Sequence, residues 1–179
     1  MQYPQCSRCH RGDIFELLIM NRICLSVLLL ASASVLADPP AGYTFHSYDS
    51  AMRAAQSSGK KMFIYFGREG CGYCDFTNKN AFEKDDVRAK YQANYELAYV
   101  DAESGDRLTL PTGERITERE LGTRYKAFVT PVFVYTEPDG MQILKRVGIQ
   151  KQKQLLTYDR FVTEGYYQKQ SIEEFEAAQ

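Results

Sequence analysis

The chain has 179 residues, which is enough for one ordinary domain with a hydrophobic core of its own. Its 44% hydrophobic and 25% charged residues are typical of a globular protein, and they exclude a collagen, a coiled coil and a disordered chain. The 22 Lys and Arg residues nearly balance the 23 Asp and Glu residues, and the net charge is −1. This charge gives no electrostatic reason to expect nucleic acid or an anionic membrane as a partner.

The N-terminal residues are predicted to lie outside the folded domain. From Met20 the chain has a short basic segment, an apolar stretch, and the small residues Val35 and Ala37 ahead of a cleavage site. This pattern predicts a signal peptide over 20–37, an upstream extension over 1–19, and export to the periplasm. The apolar stretch is short for a permanent membrane helix, and an uncleaved membrane anchor is the alternative.

Removal of the signal peptide would change the cysteine content of the protein. Of the five cysteines, Cys6, Cys9 and Cys24 would be lost, and Cys71 and Cys74 would remain. One pair in an oxidising compartment favours one specific disulfide. The first two cysteines, with the histidine that follows them, match the pattern for c-type haem attachment. They precede the export signal, so we interpret this match as chance, and no cofactor is predicted.

After a leader over 38–47, hydrophobic periodicity and turn residues predict alternating helices and strands in a domain over 48–179. The first half should contain a helix over 50–58 capped by Asp49 and strands over 61–67 and 96–102. Between these strands a helix from about Gly72, or its kinked continuation, should cover the sheet through Phe82, Val87 and Tyr91. The second half should begin with a hairpin over 108–116, followed by a helix that starts at a capping box of Thr117 and Glu120 and ends at Tyr125. Strands over 132–135 and 141–147, a helix around 155–162 and a short helix over 171–178 should follow. This order predicts an α/β fold with a central mixed sheet and helices on both faces.

The most informative motif is Cys-Gly-Tyr-Cys at residues 71–74, between a buried strand and a helix. Two thiols at this spacing can pass two electrons by cycling between a dithiol and a disulfide. The helix N-terminus directs unpaired N–H groups at the first sulfur, which favours its thiolate, the form that attacks disulfides. The predicted chemistry is therefore thiol–disulfide exchange.

Other interpretations of the cysteine pair are less consistent with the sequence. A disulfide across so short a loop removes little entropy from the unfolded chain, so it would be a poor structural crosslink. Zinc would need further ligands, and after the signal peptide the chain has no other cysteine and only one histidine, His46, so no metal site is predicted. The tyrosines and phenylalanines are interpreted as core and sheet-face residues rather than as a binding surface.

The element order, with the cysteine pair at the first strand-to-helix turn and Thr130-Pro131 before the later hairpin, resembles the thioredoxin fold over residues 48–162. Among thioredoxin-like proteins the chain is similar to the exported SoxW-like group associated with bacterial sulfur oxidation. Its Gly-Tyr dipeptide is similar to that of DsbC-type disulfide isomerases. The resemblance implies that Cys71 is an exposed attacking thiol and that Cys74 is a buried resolving thiol. It also implies a cis bond before Pro131, where the backbone beside the Cys71 sulfur would pair with an extended substrate.

The chain departs from the thioredoxin pattern at two positions. Tyr65 replaces the acid that is usually buried below the active site, and Gly70 replaces the tryptophan that usually precedes the first cysteine. Glu69 is therefore our candidate for the proton acceptor. The exchange of Trp for Gly should open the surface near the sulfur.

The resemblance implies disulfide-containing protein substrates and a membrane protein that donates electrons. It favours a reductase, but the cysteine dipeptide alone does not fix the direction of electron flow, because related proteins span reduction potentials from about −270 to −120 mV. A disulfide oxidant or isomerase is the alternative within the same chemistry. A thioredoxin-like binding module with incidental cysteines is the alternative outside it.

Overall fold

The computed structural model describes residues 39–178 of the chain. The predicted extension over 1–19 and signal peptide over 20–37 lie outside these residues. Between residues 39 and 178, no helix combines the length and the apolar character that crossing a membrane requires.

Helices and strands alternate along the described chain in the predicted order. The helices are α1 (Tyr48–Ser58), α2 (Gly72–Thr77), a π-helix (Asn78–Phe82), α3 (Asp85–Asn94), α4 (Glu118–Arg124), α5 (Gln152–Thr163), a 3-10 helix (Tyr166–Gln168) and α6 (Ile172–Ala177). The strands are β1 (Lys61–Gly67), β2 (Tyr95–Asp101), β3 (Arg107–Thr109), β4 (Arg115–Thr117), β5 (Val132–Thr136) and β6 (Gln142–Val147).

Four strands form the central sheet in the order β2-β1-β5-β6. Strand β1 is parallel to β2 and antiparallel to β5, and β5 is antiparallel to β6. Strands β3 and β4 form a separate antiparallel hairpin between β2 and α4. The prediction of an α/β fold with a central mixed sheet is therefore confirmed.

Helices cover both faces of this sheet, as predicted. The side chains of Phe63 and Tyr65 on β1 belong to the core shared with the π-helix, α3, α5 and α6. The alternate residues Met62, Ile64 and Phe66 belong to the core shared with α1 and α4. Because both faces are covered, β1 is continuously apolar or aromatic from Met62 to Phe66 instead of alternating with polar residues. Its C-terminal end leads directly to the cysteine motif.

The first helix begins two residues before the predicted start. Ser47, not Asp49, is the N-cap residue of α1, and the helix begins at Tyr48. Asp49 lies in the first turn and pairs with Arg53 at 3.0 Å. Both Ser and Asp are common N-cap residues, and a carboxylate is also favourable within the first turn, so the sequence pattern fits either start.

The helix that follows the cysteine motif is divided into three parts. Helix α2 ends at Thr77, the π-helix follows without a gap, and Lys84 in an extended conformation separates it from α3. The sequence pattern allows a kinked helix here, but a single π-helical turn is too short to leave a pattern of its own, so the sequence does not predict where the helix divides. The capping box of Thr117 and Glu120 is present at the start of α4, as predicted.

The predicted leader contributes contacts to the domain. The backbone N–H of His46 donates to the carbonyl of Leu97 at 2.9 Å, and the backbone N–H of Tyr99 donates to the carbonyl of His46 at 3.1 Å. The hydroxyl of Tyr43 donates to the carbonyl of Phe82 at 2.7 Å. The segment around His46 thereby covers the outer edge of β2, which would otherwise present unpaired backbone groups.

Glu118 is a partly buried acid at the start of α4. Its Oε2 accepts a hydrogen bond from the backbone N–H of Asp101 at 3.1 Å. Burial raises the pKa of Glu118 to about 7, because that hydrogen bond only partly opposes burial and the carboxylates of Asp101 and Asp106 repel a further charge. Between pH 4.5 and about 7, Glu118 therefore keeps its proton in the folded protein but has lost it in the unfolded chain.

The Glu118→Gln variant should be more stable than the wild type above pH 7. Because the folded pKa is raised, the contribution of this group to stability is fully present below its ordinary value of 4.5 and is lost as the pH rises through about 7. The amide can still accept the Asp101 hydrogen bond without burying a charge. We expect the free energy of unfolding to rise on the order of 1 kcal/mol above pH 7, because solvent screens this partly buried charge, and to be unchanged below pH 4.5. Urea unfolding at several pH values measures the difference.

The Glu83→Gln variant is the matched control, because Glu83 is an exposed glutamate in another part of the chain. It should keep the pH dependence of the wild type. If Glu118→Gln also keeps that dependence, the titration does not belong to Glu118.

Candidate functional site

Cys71 and Cys74 lie at the junction between β1 and α2, and they form a disulfide with a Cα–Cα distance of 5.2 Å. The turn before them contains Gly70 with φ of 65°. This value lies in the left-handed region, which glycine adopts without steric cost. The conformation of the turn therefore explains why this position holds a glycine and not the tryptophan that is usual in thioredoxins. The turn places Cys71 at the N-cap of α2.

Two hydrogen-bond donors point at the sulfur of Cys71. The backbone N–H of Cys74 lies 3.1 Å from this sulfur, and the hydroxyl Oγ1 of Thr130 lies 3.2 Å from it. Both groups place partial positive charge next to the sulfur, so they stabilise a thiolate once the disulfide is reduced. The sequence predicted the first donor from the helix N-terminus. Thr130 was placed beside Cys71 only by the family resemblance. The sequence did not predict that the Thr130 hydroxyl donates a hydrogen bond to the Cys71 sulfur.

The Thr130→Val variant should raise the pKa of the reduced Cys71 thiol by about one unit, because it removes one donor and preserves the side-chain shape. At neutral pH the rate of disulfide attack should fall several-fold, in proportion to the lost thiolate. Thiolate absorbance in the ultraviolet, followed against pH, measures this change.

The Thr109→Val variant makes the same exchange at an exposed position on β3 and should leave the titration unchanged. An unchanged pKa in Thr130→Val would show that the hydroxyl does not stabilise the thiolate.

The two cysteines are almost equally buried, so the expectation that Cys71 is exposed is wrong for the disulfide form. The exposed fraction is 5% for Cys71 and 4% for Cys74. The Cys71 sulfur is covered by the bond to Cys74 and by the Thr130 hydroxyl. The two residues nevertheless differ, because Cys71 lines a surface cleft and Cys74 does not. The cleft is therefore the side from which a substrate would approach Cys71.

The segment before β5 forms the side of the site opposite α2. The peptide bond between Thr130 and Pro131 is cis. Within the described chain, the backbone groups of Val129 and Thr130 make no hydrogen bond to other residues. They are therefore available to pair with an extended polypeptide beside the Cys71 sulfur.

Tyr65 occupies the position below the site where thioredoxins usually have an acid. Its side chain is fully buried, and its hydroxyl donates to Oδ1 of Asn78, at the start of the π-helix, at 3.0 Å. Burial raises the pKa of Tyr65 far above its ordinary value. The phenol therefore stays protonated, and it cannot replace the acid as a proton acceptor. Glu69, the predicted replacement, lies on the exposed turn before Cys71 and does not line the cleft.

The surface cleft beside Cys71 has a volume of about 780 Å³. We call it the Cys71 cleft, and it is lined by Arg68, Cys71, Gly72, Tyr73, Phe76, Ala102, Glu103, Arg119, Thr123, Ala127, Phe128, Val129, Thr130 and Ile149. The three aromatic residues of this lining, Tyr73, Phe76 and Phe128, are exposed. The interpretation of all aromatic residues as core and sheet-face residues is therefore wrong for these three.

Sequence reasoning did not predict most of the cleft. Residues such as Thr123 and Ile149 are brought to it from distant parts of the chain by the fold, and neither has a motif that indicates a site. Phe128 is different, because it lies three residues before Pro131 in the segment already singled out. Within residues 39–178, no group of three or more His, Cys, Asp or Glu side chains is placed to hold a metal ion.

Comparisons with known proteins agree with this fold. A family model described as a thioredoxin-like domain matches residues 48–163. No curated protein matches the chain. A solved thioredoxin from Thermus thermophilus is 26% identical, with a TM-score of 0.54 over 66% of this chain and 85% of the other.

Two further solved structures share the fold at lower sequence identity. A thioredoxin-fold protein from Helicobacter pylori is 22% identical, with a TM-score of 0.58 over 68% of this chain and 80% of the other. The oxidoreductase DsbH is 15% identical, with a TM-score of 0.52 over 74% of this chain and 90% of the other.

Proposed function

Because the chain belongs to the thioredoxin-like domain family and is a thiol–disulfide oxidoreductase, we propose that it acts as a reductase of protein disulfides after export to the periplasm. The observation that carries the chemistry is the environment of Cys71. Its sulfur is bonded to Cys74 and receives two hydrogen-bond donors, and the residue lines a surface cleft. Its reduced form has the features of an attacking thiolate.

The reaction begins with the reduced protein. The Cys71 thiolate attacks one sulfur of a substrate disulfide, the substrate S–S bond breaks, and the other substrate sulfur leaves as a thiolate that takes up a proton. Cys74 then loses its proton and attacks the Cys71 sulfur of the mixed disulfide. The second substrate thiol is released, and the Cys71–Cys74 disulfide is formed. Two electrons have passed to the substrate, and a dithiol donor must return two electrons to the protein.

The reducing direction is supported by the resemblance to the exported SoxW-like group, which also suggests a membrane protein as the electron donor. The alternative, an oxidant or isomerase, is supported by the Gly-Tyr dipeptide between the cysteines. Equilibration with glutathione measures the reduction potential, and alkylation of the protein in cells measures its redox state. A mostly reduced cysteine pair in the exported protein supports the reductase, and a mostly oxidised pair supports the oxidant.

Export is proposed from the predicted signal peptide over 20–37. Cell fractionation should find the protein in the periplasm, and N-terminal sequencing of that protein should begin at Asp38. Retention of the segment would indicate an uncleaved anchor. A protein confined to the cytoplasm would contradict export, although it would leave the proposed chemistry intact.

Glu69 remains our proposed proton acceptor during resolution of the mixed disulfide. The Glu69→Gln variant tests this role in single-turnover reactions, because only the second, resolving phase should slow. Equal rates of that phase in variant and wild type would exclude Glu69.

A further inference from the structure

We propose that the hydroxyl of Thr77 donates a hydrogen bond to the Cys74 thiolate when this thiolate resolves the mixed disulfide. The proposal rests on the proposed function, because the mixed disulfide is an intermediate of that reaction. It adds a residue that no motif in the sequence indicates, and it assigns the stabilisation of the second thiolate to a neutral side chain.

Thr77 and Cys74 share the inner face of helix α2. They are three residues apart and are the two buried residues of this helix, whereas Asp75 and Phe76 between them are exposed. Residues at this spacing lie one above the other on a helix, and helical side chains lean toward the N-terminus. The side chain of Thr77 is therefore directed back along the helix toward Cys74.

The Thr77 hydroxyl is buried without a partner in the disulfide form. Thr77 is 0% exposed, and within residues 39–178 its Oγ1 makes no hydrogen bond. A threonine in a helix usually bonds to a carbonyl one turn earlier, and buried hydroxyls without any partner are uncommon. Such a group lowers the stability of the disulfide form, and a valine of the same shape would avoid this cost. The hydroxyl is explained if it finds its partner in another state of the protein.

The other donors of the site are already in use. The backbone N–H of Cys74 and the hydroxyl of Thr130 point at the sulfur of Cys71. The hydroxyl of Tyr65 donates its single proton to a side-chain amide of the π-helix. Cys74 itself lies in the hydrophobic core, where apolar surroundings disfavour a thiolate. A thiolate on Cys74 therefore needs a further donor, and the unpaired hydroxyl of Thr77 supplies one.

The proposed contact forms during the resolving step. In the mixed disulfide the Cys71 sulfur is bonded to the substrate, so the Cys74 sulfur is free to turn toward Thr77. Cys74 gives its proton to a base, and the Thr77 hydroxyl, which rotates about its C–O bond, then points its proton at the thiolate. The thiolate attacks the Cys71 sulfur, the bond to the substrate breaks, and the substrate sulfur leaves as a thiolate that takes up a proton. Thr77 keeps its own proton throughout.

Glutathione disulfide is the substrate for the test. The reduced full chain is mixed with it, samples are quenched with acid, and mass spectrometry of the peptide that contains Cys71 and Cys74 measures the glutathione-bound intermediate. The decay of this intermediate gives the rate of resolution, which should rise with pH as Cys74 ionises. In Thr77→Val the midpoint of this profile should lie about one pH unit higher, because the variant keeps the side-chain shape and loses the donor.

The two ends of the profile separate stabilisation of the thiolate from structural damage. At neutral pH the Thr77→Val variant should resolve about threefold more slowly, because about tenfold less thiolate is partly offset by the higher reactivity of a more basic thiolate. Above both midpoints it should be at least as fast as the wild type. The attack by Cys71 should form the intermediate at an unchanged rate. Thr77→Ser keeps the hydroxyl and should keep the wild-type midpoint.

The matched control is Thr157→Val, which makes the same exchange at another buried threonine within a helix, α5. It should keep the wild-type profile. If Thr77→Val does not fold, as judged by circular dichroism, Thr77→Ala removes the same hydroxyl and should shift the midpoint in the same direction.

Failure of this proposal differs from failure of the proposed function. An unchanged midpoint in the folded Thr77→Val variant, or a rate of resolution that falls equally at every pH, overturns the role of the hydroxyl and leaves the oxidoreductase. A wild-type protein that forms no mixed disulfide and reduces no protein disulfide contradicts the proposed function itself.

Discussion

The Cys74→Ser variant should remain covalently bound to its substrates through Cys71. The Cys71 thiolate can still attack a substrate disulfide, but the thiol that would resolve the mixed disulfide is gone. Turnover should therefore fall on the order of a thousandfold or more, while adducts accumulate. Non-reducing gels measure the adducts, and mass spectrometry after reduction identifies the trapped proteins.

The matched control is Cys71→Ser, which lacks the attacking sulfur and keeps the buried one. It should form no comparable adducts, because Cys74 does not line the cleft. Equal trapping by the two variants would contradict the assignment of roles to the two cysteines. If neither variant traps anything and partners still bind a protein without both cysteines, the chain functions as a binding module.

The Phe63→Ala variant should lose about 3–5 kcal/mol of unfolding free energy. Phe63 is fully buried on β1, and the centroid of its ring lies 4.9 Å from that of Tyr91, 5.1 Å from that of Tyr135 and 6.0 Å from that of Phe133. Removal of the ring loses these contacts and leaves a cavity between the sheet and its helices. Because a domain is typically stable by about 5–15 kcal/mol, the variant should be only marginally folded.

Urea unfolding of Phe63→Ala beside Phe128→Ala measures this effect. The second variant makes the same exchange at a residue that is 74% exposed, so it should change stability by less than about 0.5 kcal/mol. Similar losses in the two variants would contradict the view that the aromatic core under the sheet carries the stability of the fold.

Much of the fold could be predicted from local sequence patterns. The strand over 61–67 was predicted with the bounds that β1 has, because both of its faces are covered and its apolar run is continuous. The neighbouring strand β2 begins and ends one residue earlier than predicted, at Tyr95 and Asp101. Tyr95 packs in the core and directly follows Asn94, the last residue of α3. A buried tyrosine at such a boundary fits the end of a helix as well as the start of a strand, so the sequence does not assign it to either.

The sequence predicted the chemistry of the two cysteines, but it predicted the residues around them only in part. The short spacing of Cys71 and Cys74 determines that they can meet, whatever the rest of the chain does. The hydroxyl of Thr130 reaches Cys71 from 59 residues away, so the packing of the sheet against α2 determines that contact. The exposure of Phe128 likewise depends on where the loop before β5 turns, and hydrophobicity alone predicted burial.

The phenol of Tyr65 affects how the mixed disulfide is resolved. A carboxylate in that place would collect the proton that Cys74 releases, and its own titration would influence how the rate changes with acidity. Burial raises the pKa of Tyr65 far above its ordinary value, so the phenol keeps its proton at neutral pH. The departing proton must instead pass to water, to dissolved buffer bases or to another side chain, for which Glu69 is our candidate. The speed of this resolving step is thus open to control by the surrounding medium.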